Sequence, residues 1–255
     1  MNDYYSQAPG LYDETARGIE GDVAFYRDLA VASGGPVVEL GVGTGRIAIP
    51  IAAAGVEMIG IDVVPEMIAV GRARAEAAGV ASTLRFVEGD MRSFTLGAPV
   101  PLVTIPFRAF LHNLAREDQL ATLRACRRAL RPGGRLALNV FNPDLSIAAR
   151  WAGKSAAHYE PFDAAGRVEA HHDFDLGAEA RTVTSRLRWR EGGTVRRGTL
   201  TLRYVSREEM ETLFDATGFE AESLYGDCLR APFGEHSTEL VWVARRREDG
   251  AERAR

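Results

Sequence analysis

The stretch PVVELGVGTGRIAIPIAAAG, residues Pro36–Gly55, carries the pattern on which the fold prediction depends. It begins with a short apolar run, passes through a glycine-rich turn and continues with the composition of a helix. Arg46 stands where a G-x-G-x-x-G fingerprint would have its third glycine. A strand, such a turn and a helix N-terminus predict a crevice where a ligand lies against the main chain. The glycines of the turn are Gly41, Gly43 and Gly45.

Around this stretch, short apolar runs alternate with longer amphipathic stretches from residue 36 to residue 142. Repeated alternation of this kind is typical of a parallel sheet with helices on both faces. The runs that predict strands are 36–40, 57–62, 84–90, 101–107 and 134–141. The stretches that predict helices are 45–55, 65–79 and 116–134.

After residue 142 the pattern changes to antiparallel strands. The runs 180–190 and 194–205 are joined by a hairpin signal, EGG, and a third run covers 168–175. We predict that these strands cover a binding site. Arginines of these runs can attract an anionic ligand, but we prefer the interpretation of a solvated sheet face. They are Arg186, Arg188, Arg190, Arg196, Arg197 and Arg203.

The C-terminal part returns to the core sheet. Ser206 begins a helix with the pattern of a capping box, since Glu209 follows three residues later and Gly218 stands just past the end. Strands at 219–225 and 239–244 then complete the sheet. The predicted fold class is therefore α/β, a Rossmann-like seven-stranded mostly parallel sheet with helices on both faces, plus an antiparallel strand-rich insertion after the fifth strand.

The predicted organisation has five parts. They are an N-terminal lid or helical segment (1–35), the ligand-binding core (36–142), the insertion (143–205), the C-terminal part of the core sheet (206–244) and a disordered charged tail (245–255).

Composition restricts the class of protein. A net charge of −4 and a pI of about 5.8 predict no bulk attraction to nucleic acid or to anionic lipid. The N-terminus lacks the pattern of a signal peptide, and no apolar run is long enough to span a bilayer. Cys126 and Cys228 lack metal-ligand spacing and indicate thiols in a reducing compartment. Lys154 is the only lysine, a bias typical of GC-rich bacterial genomes. We expect a cytoplasmic bacterial protein.

Three acids end successive predicted strands beside the crevice: Glu39, Asp62 and Asp90. Asp62 lies 21 residues after Gly41, where a carboxylate can accept from both hydroxyls of a ribose. Asp90 can accept from an adenine amine while Met91 packs on the ring. Three carboxylates repel a pyrophosphate and attract a cation, so we predict a positively charged nucleoside. Taken singly, Glu39 can instead cap the helix turn and Asp62 can be a helix N-cap.

The motifs VVELGVGTGR, IGIDVVPEMI, FVEGDMRSF and LRPGGRLALNVFNP occur in this order over residues 37–142. In them the chain resembles the class I S-adenosylmethionine-dependent methyltransferases, and the layout resembles their small-molecule branch. The resemblance implies S-adenosyl-L-methionine as cofactor and S-adenosyl-L-homocysteine as product. It implies cofactor contacts from Glu39, Gly41, Val42, Gly43, Gly45, Asp62, Val63, Met67, Asp90, Met91 and Pro106. Tyr12 and Arg17 are assigned to a lid over the cofactor; a poorly ordered N-terminus is the alternative.

The acceptor site has fainter signals, because methyl transfer needs positioning rather than a metal or a covalent intermediate. His112 is the candidate general base, with a histidine that bonds a backbone carbonyl at a helix end as the alternative. The predicted acceptor contacts are Tyr5, Phe110, Asn142, Tyr204, Arg230 and Phe233.

Several classes of partner are excluded at this point. The loop after the fourth strand reads Ile105-Pro106-Phe107 instead of the Asn/Asp-Pro-Pro-aromatic motif of enzymes that methylate nucleic-acid bases. The run HHDFD (residues 171–175) suggests an exposed strand in preference to a metal site, because alternate residues face opposite ways. We therefore expect a small-molecule acceptor, no nucleic acid, no membrane and no metal, with monomer and homodimer both open.

Three rival functions stay open from the sequence. The first is a nicotinamide-dependent oxidoreductase, although its third glycine is missing. The second is an enzyme of the same fold that transfers another group, such as aminopropyl, from a related sulfonium. The third is a protein that binds S-adenosylmethionine without turnover.

Overall fold

The computed structural model describes residues 4–7, 9, 12, 18–142, 168–175, 181–191 and 194–248. Arg17 and residues 143–167 therefore lie outside the described residues, as does most of the predicted charged tail.

A seven-stranded sheet forms the centre of the molecule, in the order β3-β2-β1-β4-β5-β10-β9. The first five strands of this sheet pair in parallel, and β10 runs antiparallel to both of its neighbours. The strands are β1 (Val37–Leu40), β2 (Met58–Asp62), β3 (Leu84–Glu88), β4 (Val100–Ile105), β5 (Leu130–Phe141), β9 (Phe219–Tyr225) and β10 (Glu239–Arg246). The predicted fold class is confirmed.

Helices cover both faces of this sheet. They are α1 (Tyr4–Gln7), α2 (Asp22–Ser33), α3 (Ala48–Ala53), α4 (Pro65–Ala77), α5 (Arg116–Ala129), α6 (Arg207–Thr217) and a 3-10 helix (Ala109–His112). One apolar core lies between the sheet and α5 and α6, and includes Leu123, Phe214 and Trp242. The other lies under α2, α3 and α4, and includes Phe25 and Ile51.

Local boundaries follow the turn residues, with two differences. Helix α3 begins at Ala48, three residues later than predicted, because Gly45 has φ 81° and cannot belong to a right-handed helix. Pairing of β5 begins at Leu130, before the predicted helix stop at Pro132-Gly133-Gly134. The capping box is present: Ser206 Oγ accepts from the Glu209 N–H at 3.2 Å.

The insertion forms a separate antiparallel sheet of β6 (Val168–Asp175), β7 (Thr182–Glu191) and β8 (Thr194–Arg203). Its β8 edge lies near the 3-10 helix and α1. Arg203 corrects the prediction of a solvated arginine face, because its side chain is buried and donates to Gln119 Oε1 (2.8 Å) and Glu209 Oε1 (2.7 Å). Arg181 donates to the other oxygen of Glu209 at 2.9 Å. The exposed arginines among those predicted are Arg186, Arg188, Arg196 and Arg197.

Two features are absent from the residues that the structure describes. No helix among them is long and apolar enough to cross a bilayer. Within the same residues, no group of three or more His, Cys, Asp or Glu side chains is placed to hold a metal ion.

Candidate functional site

The glycine-rich turn lies at the carboxyl end of β1, between β2 and β4. The N–H groups of Gly41 and Val42 both donate to the Ile61 carbonyl, at 2.8 and 3.1 Å, which ties the turn to β2. Gly41 has φ 68°, and a Cβ added there would stand 2.7 Å from the Ala109 Cβ. Only glycine therefore allows this turn to approach the segment after β4 so closely.

Asp62 ends β2 and braces the turn. Its two carboxylate oxygens accept from the Gly43 N–H at 2.8 Å and the Val64 N–H at 3.0 Å. Burial raises the pKa of Asp62, and these backbone hydrogen bonds act in the opposite direction. The N-cap of α4 is Val64, so Asp62 is not itself the N-cap. An ionised carboxylate has about four acceptor positions, which leaves room for the hydroxyls of a ribose.

Glu39 is a buried acid on the core side of the turn. Glu39 is only 2% exposed, and its Oε2 has no hydrogen-bond partner among the described residues. Burial raises the pKa of Glu39 to about 8; Arg46 lowers it, while Asp22 and Asp62 raise it further. Because Oε2 is unsatisfied, a capping role does not account for this residue. A buried acceptor of this kind suits a cationic ligand group.

Arg46, which replaces the third glycine of the fingerprint, anchors the segment before α2. It donates to both oxygens of Asp22, at 3.0 and 2.7 Å, and its guanidinium lies 5.1 Å from the Phe107 ring centroid. A Cβ on Gly18 would lie 2.3 Å from an Arg46 nitrogen, so the chain passes directly over this ion pair. The arginine in place of a glycine was the sequence signal, but its partner Asp22 could not be found from spacing.

The segment after β4 adopts an unusual backbone. Phe107 and Arg108 have φ 48° and 68°, in the left-handed region that side chains disfavour. The Phe107 N–H donates to Asn139 Oδ1 at 2.8 Å, and the same oxygen accepts from the Tyr26 hydroxyl at 2.9 Å. Asn139 Nδ2 donates to Glu239 Oε2 at 2.9 Å, and Arg108 pairs with the other oxygen of Glu239. Sequence reasoning missed this network, because its members come from four distant segments.

Asp90 has a partner that the sequence did not predict. The Arg92 guanidinium reaches both of its oxygens, and the Arg92 N–H also donates to Oδ1 at 2.8 Å. These hydrogen bonds lower the pKa of Asp90. An adenine amine would therefore have to share this carboxylate with Arg92. Met91 beside it accepts a hydrogen bond on sulfur from Asn113 and lies close to Gly41.

His112 ends the 3-10 helix and meets the N-terminal segment. The Tyr5 hydroxyl and His112 Nε2 are 3.2 Å apart, and the Tyr5 ring makes edge contacts with the rings of His112 and Tyr12. Burial lowers the pKa of His112 to about 4, so its imidazole is neutral at neutral pH. The structure thus brings together a predicted base, a predicted acceptor residue and a predicted lid residue.

The remaining predicted acceptor residues differ in burial and in the residues that they contact. Phe110 is completely buried in the apolar core, which corrects its assignment to the acceptor site. Tyr204 is also buried, and Asn142 Nδ2 donates to the Ser237 carbonyl at 2.8 Å. Arg230 lies 5.4 Å from the Phe25 ring, on the side of α2, whereas Phe233 packs against the core under α6.

The other predicted cofactor residues differ in exposure. Val63 follows Asp62 at the end of β2, is 58% exposed and is therefore accessible to a ligand. Met67 and Pro106 are buried, and a Cβ on Gly43 would lie 3.3 Å from the Met67 methyl group. Met67 thus packs against the glycine turn at Gly43.

The part of the chain from β1 to the start of β5 is similar to proteins of known family. Residues 37–134 match a family model described as a methyltransferase domain. The chain carries a methyltransferase domain. This domain runs from β1 to the first residues of β5 and contains the glycine turn, Asp62 and Asp90. The resemblance to class I S-adenosylmethionine-dependent methyltransferases is thereby confirmed.

Relatives of known name cover the same region. A cypemycin N-terminal methyltransferase from Streptomyces sp is 29% identical over 150 residues, which is 53% of this chain and 58% of the relative. A demethylmenaquinone methyltransferase from Thermus thermophilus is 37% identical over 114 residues, 42% of this chain and 47% of the relative. The relatives also include a tRNA 5-carboxymethoxyuridine methyltransferase from Escherichia coli, 32% identical, with 45% of each chain covered. The chain spans about half the length of the curated relatives it matches.

Similarity to a solved structure extends beyond the methyltransferase domain. The CcbJ methyltransferase from Streptomyces caelestis superposes with a TM-score of 0.84 at 26% identity, over 97% of this chain and 99% of that one. The insertion and the C-terminal strands are thus part of an architecture shared with a solved methyltransferase.

Proposed function

We propose that this protein binds S-adenosyl-L-methionine and transfers its methyl group to a small-molecule acceptor at nitrogen, oxygen or carbon. The observation that carries the proposal is the unpartnered, buried Oε2 of Glu39 beside a turn with glycine at alternate positions. An ammonium group would satisfy the buried oxygen and favour the ionised form of Glu39, a form that would repel a phosphate. When bound, the cofactor supplies an electrophilic methyl group on a sulfonium.

The residues around the turn fit the rest of this cofactor. Glu39 would hold the amino group of the methionine part, which passes along Gly41 and Gly43. Asp62 keeps acceptor positions for the ribose, and exposed Val63 faces the opening where the adenine would lie. A side chain at Gly41 would collide with Ala109, so this part of the turn requires glycine and leaves its main chain bare.

We place the acceptor near His112, between the 3-10 helix, α1 and β8. The neutral imidazole can accept a proton from an amine or hydroxyl acceptor, and Tyr5 orients the ring through its hydroxyl. Displacement then needs the acceptor atom in line with the methyl group, opposite the sulfur. Positioning supplies most of the rate, because no covalent intermediate is required.

A small-molecule acceptor is supported by charge and by the segment after β4. The net charge of −4 offers no attraction to phosphates. Ile105 and Pro106 are buried, and the stretch Ile105-Pro106-Phe107 lacks the polar residue that would hold a base amine. The tRNA methyltransferase among the relatives makes tRNA the natural negative control for this part of the proposal.

Two measurements test the proposal together. We expect calorimetry to show micromolar binding of S-adenosylhomocysteine and none of NAD⁺. We expect labelled methyl groups to reach at least one amine or hydroxyl compound of a small-molecule panel, and not tRNA. Binding of the decarboxylated cofactor with transfer of aminopropyl would point to the second rival function. Binding without any transfer would reduce the protein to a cofactor-binding protein.

The role of His112 predicts a separation of turnover from cofactor binding. We expect His112→Ala to lower kcat about 100-fold, because the proton of the acceptor loses its base. The dissociation constant for S-adenosylhomocysteine should stay within about threefold, since His112 lies away from the glycine turn. Because its pKa is already lowered to about 4, kcat should show no inflection from His112 between pH 6 and 8. Tyr5→Phe is the matched variant and should lose less; an unchanged kcat in His112→Ala would remove the residue from the reaction.

A further inference from the structure

We propose that Asn139 is a positioning residue for methyl transfer, which holds the segment Pro106–Arg108 in the shape that the reaction requires. The inference rests on the proposed function and adds a residue that lies outside the glycine turn and contacts neither predicted ligand. Its side chain is completely buried near the end of β5.

The segment needs an external hold. Two consecutive residues with side chains, Phe107 and Arg108, have positive φ, and such residues persist only where their surroundings over-determine them. Asn139 contacts both: its Oδ1 accepts from the Phe107 N–H at 2.8 Å, and its backbone carbonyl accepts from the Arg108 N–H at 3.1 Å.

Asn139 is itself fixed from behind. Its Oδ1 also accepts from the Tyr26 hydroxyl of α2, and its Nδ2 donates to Glu239 of β10. Glu239 in turn pairs with Arg108, so the network closes on the segment that it holds. A side-chain amide is required here, since one group must accept twice and donate once. A carboxylate lacks the donor and an aliphatic group lacks both.

The segment Pro106–Arg108 is connected both to the glycine turn and to His112. Directly after it, Ala109 lies against Gly41, and the 3-10 helix that starts at Ala109 ends at His112. The Phe107 ring meets the Arg46 guanidinium beside the turn. A shift of this segment would therefore move the proposed base relative to the cofactor, and a displacement of about 1 Å can lower a rate roughly 100-fold.

The test compares Asn139→Leu with Thr217→Val, which removes a buried hydroxyl in α6 far from the segment. In Asn139→Leu, hydrogen exchange of the amides at 107–111 should accelerate at least about tenfold. With the acceptor found in the panel, kcat should fall about 30-fold while the KM values for acceptor and cofactor stay within about threefold. Thr217→Val should change neither the hydrogen exchange at 107–111 nor kcat. Asn139→Asp keeps the acceptor for the Phe107 N–H but loses the donor to Glu239, so it should restore only part of the exchange protection.

Each outcome has a consequence. Unchanged exchange at 107–111 in Asn139→Leu, or losses shared by Thr217→Val, would overturn the positioning role. If Asn139→Leu does not fold, Tyr26→Phe takes its place, because it removes one hydrogen bond to Asn139 Oδ1. The inference fails if hydrogen exchange at 107–111 is not faster in Tyr26→Phe than in the wild type. A wild-type protein that methylates nothing would instead count against the proposed function, whatever the exchange data show.

Discussion

Replacing Glu39 by glutamine is expected to make the free protein more stable at alkaline pH and a weaker binder of the cofactor. In the folded protein, burial raises the pKa of Glu39 from 4.5 to about 8. Between these values the folded state keeps a proton that the unfolded state releases. The stability that Glu39 contributes is therefore full below pH 4.5 and is lost as the pH rises towards 8. Glutamine cannot ionise and escapes this loss.

The expected stability effect is large. At pH 8 and above, Glu39→Gln should raise the free energy of unfolding, relative to wild type, by about 4 kcal/mol more than it does at pH 4.5. Urea unfolding of both proteins at pH 5 and pH 8.5 measures it. Glu239→Gln is the matched control, because Glu239 is equally buried but paired with Arg108, and its loss should destabilise at both pH values. A difference that does not grow with pH would mean that Glu39 is not held neutral by burial.

Cofactor binding should change in the opposite direction. An ammonium group needs the ionised carboxylate, so wild-type affinity for S-adenosylhomocysteine should rise from pH 6 towards pH 8 as Glu39 loses its proton. Glu39→Gln should abolish this rise and weaken binding by about 2 kcal/mol at pH 8, or roughly 30-fold. Calorimetry over this pH range decides the matter. An affinity in Glu39→Gln equal to that of the wild type would separate the buried acid from the cofactor.

Asp62→Ala is expected to weaken cofactor binding by about 2 kcal/mol. The variant removes the proposed partner of the ribose and also frees the Gly43 and Val64 N–H groups, which Asp62 now holds. The binding loss should exceed that of Asp90→Ala, whose carboxylate is already engaged by Arg92. Both losses are measured by calorimetry with S-adenosylhomocysteine.

A modified ligand separates the two roles of Asp62. An analogue without the ribose hydroxyls should bind wild type and Asp62→Ala with nearly equal affinity, because the contact in question is then missing in both. If Asp62→Ala weakens the analogue as much as the parent compound, Asp62 acts by bracing the glycine turn and the ribose assignment is wrong.

Features carried by short stretches were predictable from the sequence. The runs at 37–40 and 58–62, the turn between them and the capping box at Ser206 are local patterns, set by alternation, positive φ and orphan N–H groups. The three acids at the strand ends followed from the parallel sheet, because the carboxyl ends of its strands share one edge. Their order along the chain was enough to predict a cationic nucleoside.

Features that depend on distant partners were not predictable. Nothing near Arg46 in sequence indicates Asp22, and nothing near Asn139 indicates Tyr26 or Phe107. Phe110 was assigned to the acceptor site because it follows β4, but the 3-10 helix turns its ring into the core. Arg203 alternates with apolar neighbours as a surface residue would, and only the approach of α5 and α6 buries it.

The ion pairs of Glu209 decide whether the three-stranded sheet β6–β8 can be exchanged between relatives. One carboxylate in the first turn of α6 binds two guanidinium groups, Arg181 before β7 and Arg203 at the end of β8. A chimaera that takes strands β6–β8 from a relative must keep arginines at positions 181 and 203. Otherwise Glu209 must be replaced as well, because both of its partners are missing. Recombination that keeps these ion pairs could give the methyltransferase domain a new acceptor range. Recombination that breaks them would leave the partly buried Glu209 without its counter-ions.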